Sequence, residues 1–104
     1  MANYFVSRHR GAMLWFTEQG IDIKEYYQYC EDIDLFIKND VVYGNLPINL
    51  IEILTKRGVR YFNLVLDVPL KRRGAELIRR DFEACNPRFI EYQVIAIKSK
   101  DVFI

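Results

Sequence analysis

Short apolar runs alternate along the chain with segments whose apolar residues follow helical spacing. Residues 4–6, 41–43 and 61–66 are apolar runs rich in aromatic and β-branched side chains. Helical spacing follows the first run at residues 12–19 and the second at residues 48–57. Because parallel neighbouring strands need crossover connections, this alternation predicts an α/β fold with a mostly parallel sheet.

The most regular of these segments predicts a helix with recognisable ends. Asn45 can act as its N-cap, and Pro47 suits the first turn because no partner exists there for a backbone N–H. The apolar stripe consists of Ile48, Ile51 and Leu54. Lys56, Arg57 and Gly58 then provide the charge and the left-handed residue typical of a helix end.

The remaining segments complete a sheet of about five strands. The tyrosine-rich residues 24–30 fit a second strand only weakly, since their two faces differ little in polarity, and residues 31–38 fit a short helical turn. A helix is predicted from Gly74 to the break at Asn86 and Pro87, with Ile78, Phe82 and Cys85 on one face, and residues 89–97 predict a long last strand.

Composition limits the classes of protein to which the chain can belong. Its 104 residues fit one domain, residues 1–104, and 51% apolar residues exclude a disordered tail. Fifteen basic and 14 acidic side chains give a net charge of +1, which disfavours a protein that coats long nucleic acid. Cys30 and Cys85 lie far apart, without metal-ligand spacing, and no run approaches the ~20 apolar residues of a membrane span. We expect a cytoplasmic protein with no metal or cofactor.

Polar loops follow three of the predicted strands, and ligands of open α/β sheets bind at such loops. The first loop contains Ser7, Arg8, His9, Arg10 and Gly11. The second contains Asn45 and Pro47, and the third contains Asp67, Lys71, Arg72, Arg73 and Gly74. Five of the 15 cations lie in the first and third loops, which predicts an anionic ligand and a phosphate-binding surface.

Each of these side chains also has an ordinary structural interpretation. His9, the only histidine, can transfer a proton near pH 7, or it can simply hydrogen-bond the loop. Ser7 and Asn45 can contact the ligand or cap helices. Arg73 and Lys71 can neutralise a phosphoryl group, although a solvated basic turn is the commoner meaning.

Three motifs in order resemble the small CRISPR-associated family called Csx-sixteen. They are Tyr-Phe-Val-Ser-Arg-His at residues 4–9 with Gly11 and Trp15, Gly-Asn-Leu-Pro-Ile at residues 44–48, and Leu-Asp-Val-Pro at residues 66–69 with Arg73 and Glu76. The chain departs from the family pattern at residues 30–32 and 39–40. The fold predicted with this resemblance is a Rossmann-like (CARF-like) α/β domain with helices on both faces of the sheet.

The resemblance implies a ring nuclease that linearises cyclic tetra-adenylate, the second messenger of type III CRISPR defence. We hypothesise metal-independent attack by each ribose 2′-hydroxyl on its neighbouring phosphorus, which gives 2′,3′-cyclic phosphate ends. The candidate catalytic residues are Ser7, Arg8, His9 and Arg73. A homodimer would match the two-fold symmetry of the ring, with part of the aromatic excess at its interface. Two alternatives stay open: a protein that sequesters the messenger, and an interaction subunit of a CRISPR effector.

Overall fold

A computed structural model describes residues 1–8, 10–28, 32–73 and 79–100. They form a five-stranded sheet of order β2-β1-β3-β4-β5. The first four strands are parallel, and the last is antiparallel to its neighbour. This confirms the predicted α/β fold with a mostly parallel sheet. The strands are β1 (Asn3–Val6), β2 (Glu25–Tyr27), β3 (Val41–Gly44), β4 (Arg60–Val65) and β5 (Arg88–Tyr92).

The described helices cover both faces of the sheet, as predicted. They are α1 (Arg10–Thr17), α2 (Ile48–Lys56) and α3 (Arg79–Ala84). Successive side chains of a strand point to opposite faces, so β1 contributes to two separate cores. Phe5 packs with Phe16 of α1, whereas Tyr4 and Val6 pack with Leu54 of α2. The third helix, α3, packs beside α1.

The connection from β2 to β3 crosses the sheet on the α2 side. Its 3-10 turn at Ile33–Leu35 confirms the predicted helical turn. Phe36 is completely buried, with its ring 4.9 Å from that of Tyr4. Behind it, the buried carboxylate of Asp40 accepts hydrogen bonds from the backbone N–H groups of Ala2 at 3.1 Å and Ile37 at 3.0 Å. The guanidinium of Arg57 also donates to the carbonyl oxygens of Ile33 and Phe36, so an aromatic ring, a carboxylate and a guanidinium together fix the crossing segment.

Two sequence predictions for α2 are wrong at its N-terminus. The N-cap is Pro47, which makes no side-chain capping bond, because the side-chain amide of Asn45 instead donates to the carbonyl oxygen of Leu64 at 3.0 Å. Ile48 does not join the buried stripe of Ile51 and Leu54, since it is 70% exposed. Ile48 is the first residue of the helix and lies near the carboxyl ends of the strands. The core that buries the later turns of α2 does not extend that far.

The last strand is shorter than predicted. It ends at Tyr92, which pairs with Tyr61 near the beginning of β4, so that residues 93–97 have no strand beside them. The predicted continuation has no regular secondary structure and is largely exposed, with Ile95 at 71% and Ile97 at 97%. The predicted helix start at Gly74 and the apolar Ile78 lie outside the described residues. In the part of the chain that is described, no helix has the length and apolar character needed to cross a membrane.

Candidate functional site

The strand order reverses between β1 and β3, and this creates a crevice at their carboxyl ends. From β1 the chain passes through α1 to β2 on one side, and from β3 it passes through α2 to β4 on the other side. Because α1 and α2 lie on opposite faces, their first turns diverge above the sheet. Open α/β sheets bind their ligands at such a switch point. Here the crevice lies between Ser7 and Arg8, after β1, and Asn45, after β3.

The ends of β1 and β3 approach each other so closely that only glycine fits at position 44. A Cβ atom on Gly44 would lie 1.9 Å from the carbonyl oxygen of Val6. The φ angle of Gly44 is also +145°, which side chains of L-residues rarely allow. The same Val6 oxygen accepts a hydrogen bond from the backbone N–H of Asn45 at 3.1 Å. Gly44 therefore sets the floor of the crevice.

A buried tyrosine supports this floor from the α2 side. The hydroxyl of Tyr61 accepts a hydrogen bond from the backbone N–H of Leu46 at 2.9 Å. It lies 2.9 Å from the carbonyl oxygen of Gly44 and 2.7 Å from Oδ1 of Asn63, and its one proton is donated to one of these at a time. Burial raises the pKa of Tyr61 to about 12. Sequence reasoning missed this residue, although a hydroxyl within an apolar strand is a signal that a polar partner is required.

A cavity of about 430 Å³ adjoins the crevice on the α1 side. Its lining residues in the described part of the chain are Ser7, Arg8, Met13, Tyr26 and Gln28. Ser7 is buried and its backbone N–H donates to the carbonyl oxygen of Tyr27 at 3.0 Å, which brings the ends of β1 and β2 side by side. Arg8 is exposed and forms no ion pair within the described part. Gln28 is not among the site residues that the sequence predicts.

The third predicted loop begins with a carboxylate that has structural partners. Asp67 accepts hydrogen bonds from the side chains of Asn86 and Arg88, each at 3.2 Å, and its backbone N–H donates to the carbonyl oxygen of Cys85 at 2.7 Å. The hydrogen bond from Asn86, followed by that from Arg88, lowers the pKa of the Asp67 carboxyl. Asp67 thus ties the end of β4 to the turn after α3.

The other predicted site residues are placed as follows. Pro47 lies beside the crevice, and the buried Gly11 lies in the first turn of α1. Lys71 and Arg73 are exposed after β4, which is two strands, or about 10 Å, from β1. The Nε atom of Arg73 lies 3.4 Å from the carbonyl oxygen of Val68. His9, Gly74 and the side chains of Arg10 and Arg72 lie outside the described residues.

The predicted loops therefore share one edge of the sheet, where Ser7, Arg8 and Asn45 adjoin and Lys71 and Arg73 follow the next strand. Among the residues that are described, no group of three or more histidine, cysteine, aspartate or glutamate side chains is arranged to hold a metal ion. The arrangement can present guanidinium and backbone N–H groups to an anion.

One of three comparisons with known proteins found a match. A search of curated proteins and a search of solved structures each found no match. A family model described as "Putative CRISPR-associated protein (Cas_VVA1548)" matches residues 4–95, which include the crevice, the cavity and every strand residue except Asn3. The chain belongs to this CRISPR-associated family.

Proposed function

We propose that the protein is a ring nuclease that binds and linearises cyclic tetra-adenylate in type III CRISPR antiviral defence. Membership of a CRISPR-associated family supports the biological setting. The observation that carries the proposal is the crevice between β1 and β3, which has at its rim Arg8, an exposed cation that forms no ion pair with any other described residue. The ligand itself comes from the resemblance to the Csx-sixteen family described above.

The chemistry requires the crevice to hold a phosphodiester in one geometry. The ribose 2′-oxygen attacks the neighbouring phosphorus and loses its proton, while the bond from phosphorus to the 5′-oxygen breaks and that oxygen gains a proton. The products are a 2′,3′-cyclic phosphate and a 5′-hydroxyl, and neither water nor an oxidant is consumed. Alignment of the three reacting atoms supplies much of the acceleration.

Three cationic or proton-carrying residues have roles in this proposal. Arg8 binds the phosphate and stabilises the charge that develops on it. Arg73, on the same edge after β4, binds a second phosphate of the ring. His9, which follows Arg8 in the sequence, transfers the proton. Because the ring has approximate two-fold symmetry, we expect two copies of the crevice in a homodimer.

The test is incubation of purified protein with cyclic tetra-adenylate in EDTA, with the products separated by chromatography. We expect linear products that end in 2′,3′-cyclic phosphate. An unchanged ring that binds tightly would instead identify a sequestering protein, and a ring that does not bind would favour an interaction subunit. Measurement of the molecular mass of the protein in solution tests whether it is a homodimer.

Two variants test the assignment of the site. Arg8→Ala should weaken ring binding by about tenfold or more, as expected for loss of a hydrogen bond to a charged group. Lys56→Ala is the matched control, because Lys56 is an exposed cation at the other end of α2. Equal affinity in the two variants would show that the ring binds elsewhere.

A further inference from the structure

The cavity beside the crevice has walls of a different chemistry from the crevice itself. The paired residues Val6 and Tyr27 place the next residues, Ser7 and Gln28, side by side on the α1 face of the sheet. Tyr26 lies one pair earlier, where its ring packs 5.8 Å from that of Phe5. Since β2 is an edge strand, no strand of the described sheet closes the cavity on the side away from β1.

The aromatic wall of this cavity is fixed before a ligand arrives. Oγ1 of Thr17 donates its only proton to the carbonyl oxygen of Met13 at 2.8 Å. The hydroxyl of Tyr26, 3.3 Å from the same Oγ1, must therefore be the donor in that contact. Its ring is held at the hydroxyl end by α1 and on one side by Phe5, so little side-chain entropy is lost when a flat ligand stacks on it.

The polar groups of the cavity suit a purine nucleotide. Gln28 is exposed, and its amide makes no hydrogen bond within the described part of the chain. A primary amide offers a donor and an acceptor in the spacing of N7 and the N6 amine of adenine. Arg8 offers only donors, which suits a phosphate, and Met13 supplies an adaptable apolar surface. A volume of about 430 Å³ lies within the usual range for small-molecule sites.

We propose that this cavity is an adenine-binding subsite, in which the base stacks on Tyr26, its N6–N7 edge hydrogen-bonds to Gln28 and its phosphate lies at Arg8. The proposal rests on the proposed function, because the base belongs to the oligoadenylate ring whose phosphates lie in the crevice. It makes Gln28 the residue that determines specificity for adenine. The cavity lies between β1 and β2, whereas the crevice lies between β1 and β3, so the subsite extends the site beyond the switch point.

The experiment measures the affinity of two rings, cyclic tetra-adenylate and its tetra-inosinate analogue, by isothermal titration calorimetry. The analogue replaces the N6 amine with an oxygen. The side-chain carbonyl oxygen of Gln28 then finds no N–H group at this position from which to accept a hydrogen bond. Wild-type protein should prefer the adenine ring by about tenfold or more. Gln28→Ala should remove this preference by weakening binding of the adenine ring more than binding of the inosine ring, which keeps N7 as an acceptor for the Gln28 amide. Gln93→Ala, at an exposed glutamine outside the cavity, should keep the preference.

The aromatic wall is tested with a second pair of variants. Tyr26→Ala should weaken binding of both rings by about ten- to hundredfold, since the loss is of stacking. Tyr26→Phe keeps the ring and should bind within about threefold of wild type. Thermal unfolding of each variant establishes that it is folded at the assay temperature.

The possible results separate this proposal from the one on which it rests. If wild-type protein binds neither ring, both proposals are overturned. If wild-type protein binds and cleaves cyclic tetra-adenylate but Gln28→Ala retains the full preference for adenine, the ring nuclease stands and the subsite is overturned. Loss of the preference in Gln28→Ala, with Gln93→Ala unaffected, supports the subsite.

Discussion

Replacement of Gly44 by alanine should be among the most damaging single-methyl changes in the protein. The added Cβ would lie 1.9 Å from the Val6 carbonyl oxygen, so β1 and β3 must separate by about 1 Å before the contact reaches the shortest distances seen in proteins. Overpacking of this kind costs about 1–3 kcal/mol, and a φ of +145° costs about 1–3 kcal/mol more. Gly44→Ala should therefore lower the free energy of unfolding by about 2–6 kcal/mol. This is a large share of the total, since domains of this size are stable by about 5–15 kcal/mol.

Two other glycines make the reasoning testable by urea unfolding monitored by circular dichroism. Gly20 has φ +77°, and an added Cβ would meet open space. Gly20→Ala should therefore lower the free energy of unfolding only by the cost of a left-handed backbone, about 1–2 kcal/mol. Gly58 has φ +95°, and an added Cβ would lie 3.0 Å from the flexible side chain of Lys38. Gly58→Ala should therefore be destabilised slightly more than Gly20→Ala. If Gly44→Ala proves no less stable than Gly20→Ala, the close approach of β1 and β3 is refuted.

Three further predictions concern the core and pH. Phe36→Ala should lose about 3–5 kcal/mol in urea unfolding, and the exposed Leu35→Ala should lose less than about 1 kcal/mol. Tyr61→Phe should lower the free energy of unfolding at pH 8. Because burial raises the pKa of Tyr61 to about 12, the difference in unfolding free energy between wild type and Tyr61→Phe should shrink by roughly 1 kcal/mol between pH 9 and 11. A difference that stays constant over this range would contradict the prediction. The hydrogen bonds that lower the pKa of Asp67 stabilise the fold above the ordinary pKa of aspartate. Asp67→Asn should therefore be less stable than wild type at pH 6, with a gap that closes as the pH falls below 4.

The sequence predicted those parts of the fold that depend on local patterns. Gly58, with φ +95°, ends α2 as the predicted helix stop requires. Residues 61–65 of the predicted run 61–66 lie in the interior strand β4, as their apolar character suggests. The errors concern contacts between distant segments. Residues 93–97 have a strand-like pattern, but a strand also needs a partner, and β4 begins at Arg60. Asn45 has the chemistry of a cap, yet the neighbouring β4 offers its side chain the Leu64 carbonyl oxygen.

Residues of the candidate site were likewise predictable where their position depends only on the end of one strand. Polar residues directly after apolar runs identified Ser7, Arg8 and Asn45, because the carboxyl ends of parallel strands share an edge. Gln28 could not be identified in this way, since its position beside Ser7 depends on β2 pairing with β1 rather than with β3. Strand order is set by long-range packing, which no local pattern encodes.

The ion pairs explain how a chain of net charge +1 can offer a local anion site. In the described part of the chain, the ion pairs Arg57–Asp34, Arg60–Glu91 and Arg88–Asp67 join cations to carboxylates from distant segments. Arg8, Lys71 and Arg73 have no such partner there and lie on the edge where β1, β3 and β4 end. These ion pairs occupy carboxylates, including that of Asp67 on the same edge, which would otherwise offset the charge of these cations. Since exposed charges are screened beyond about 10 Å at 0.1 M salt, a phosphate in the crevice responds to the nearby cations and not to the total charge. The near-neutral composition therefore disfavours broad coating of nucleic acid but is compatible with a small anionic ligand.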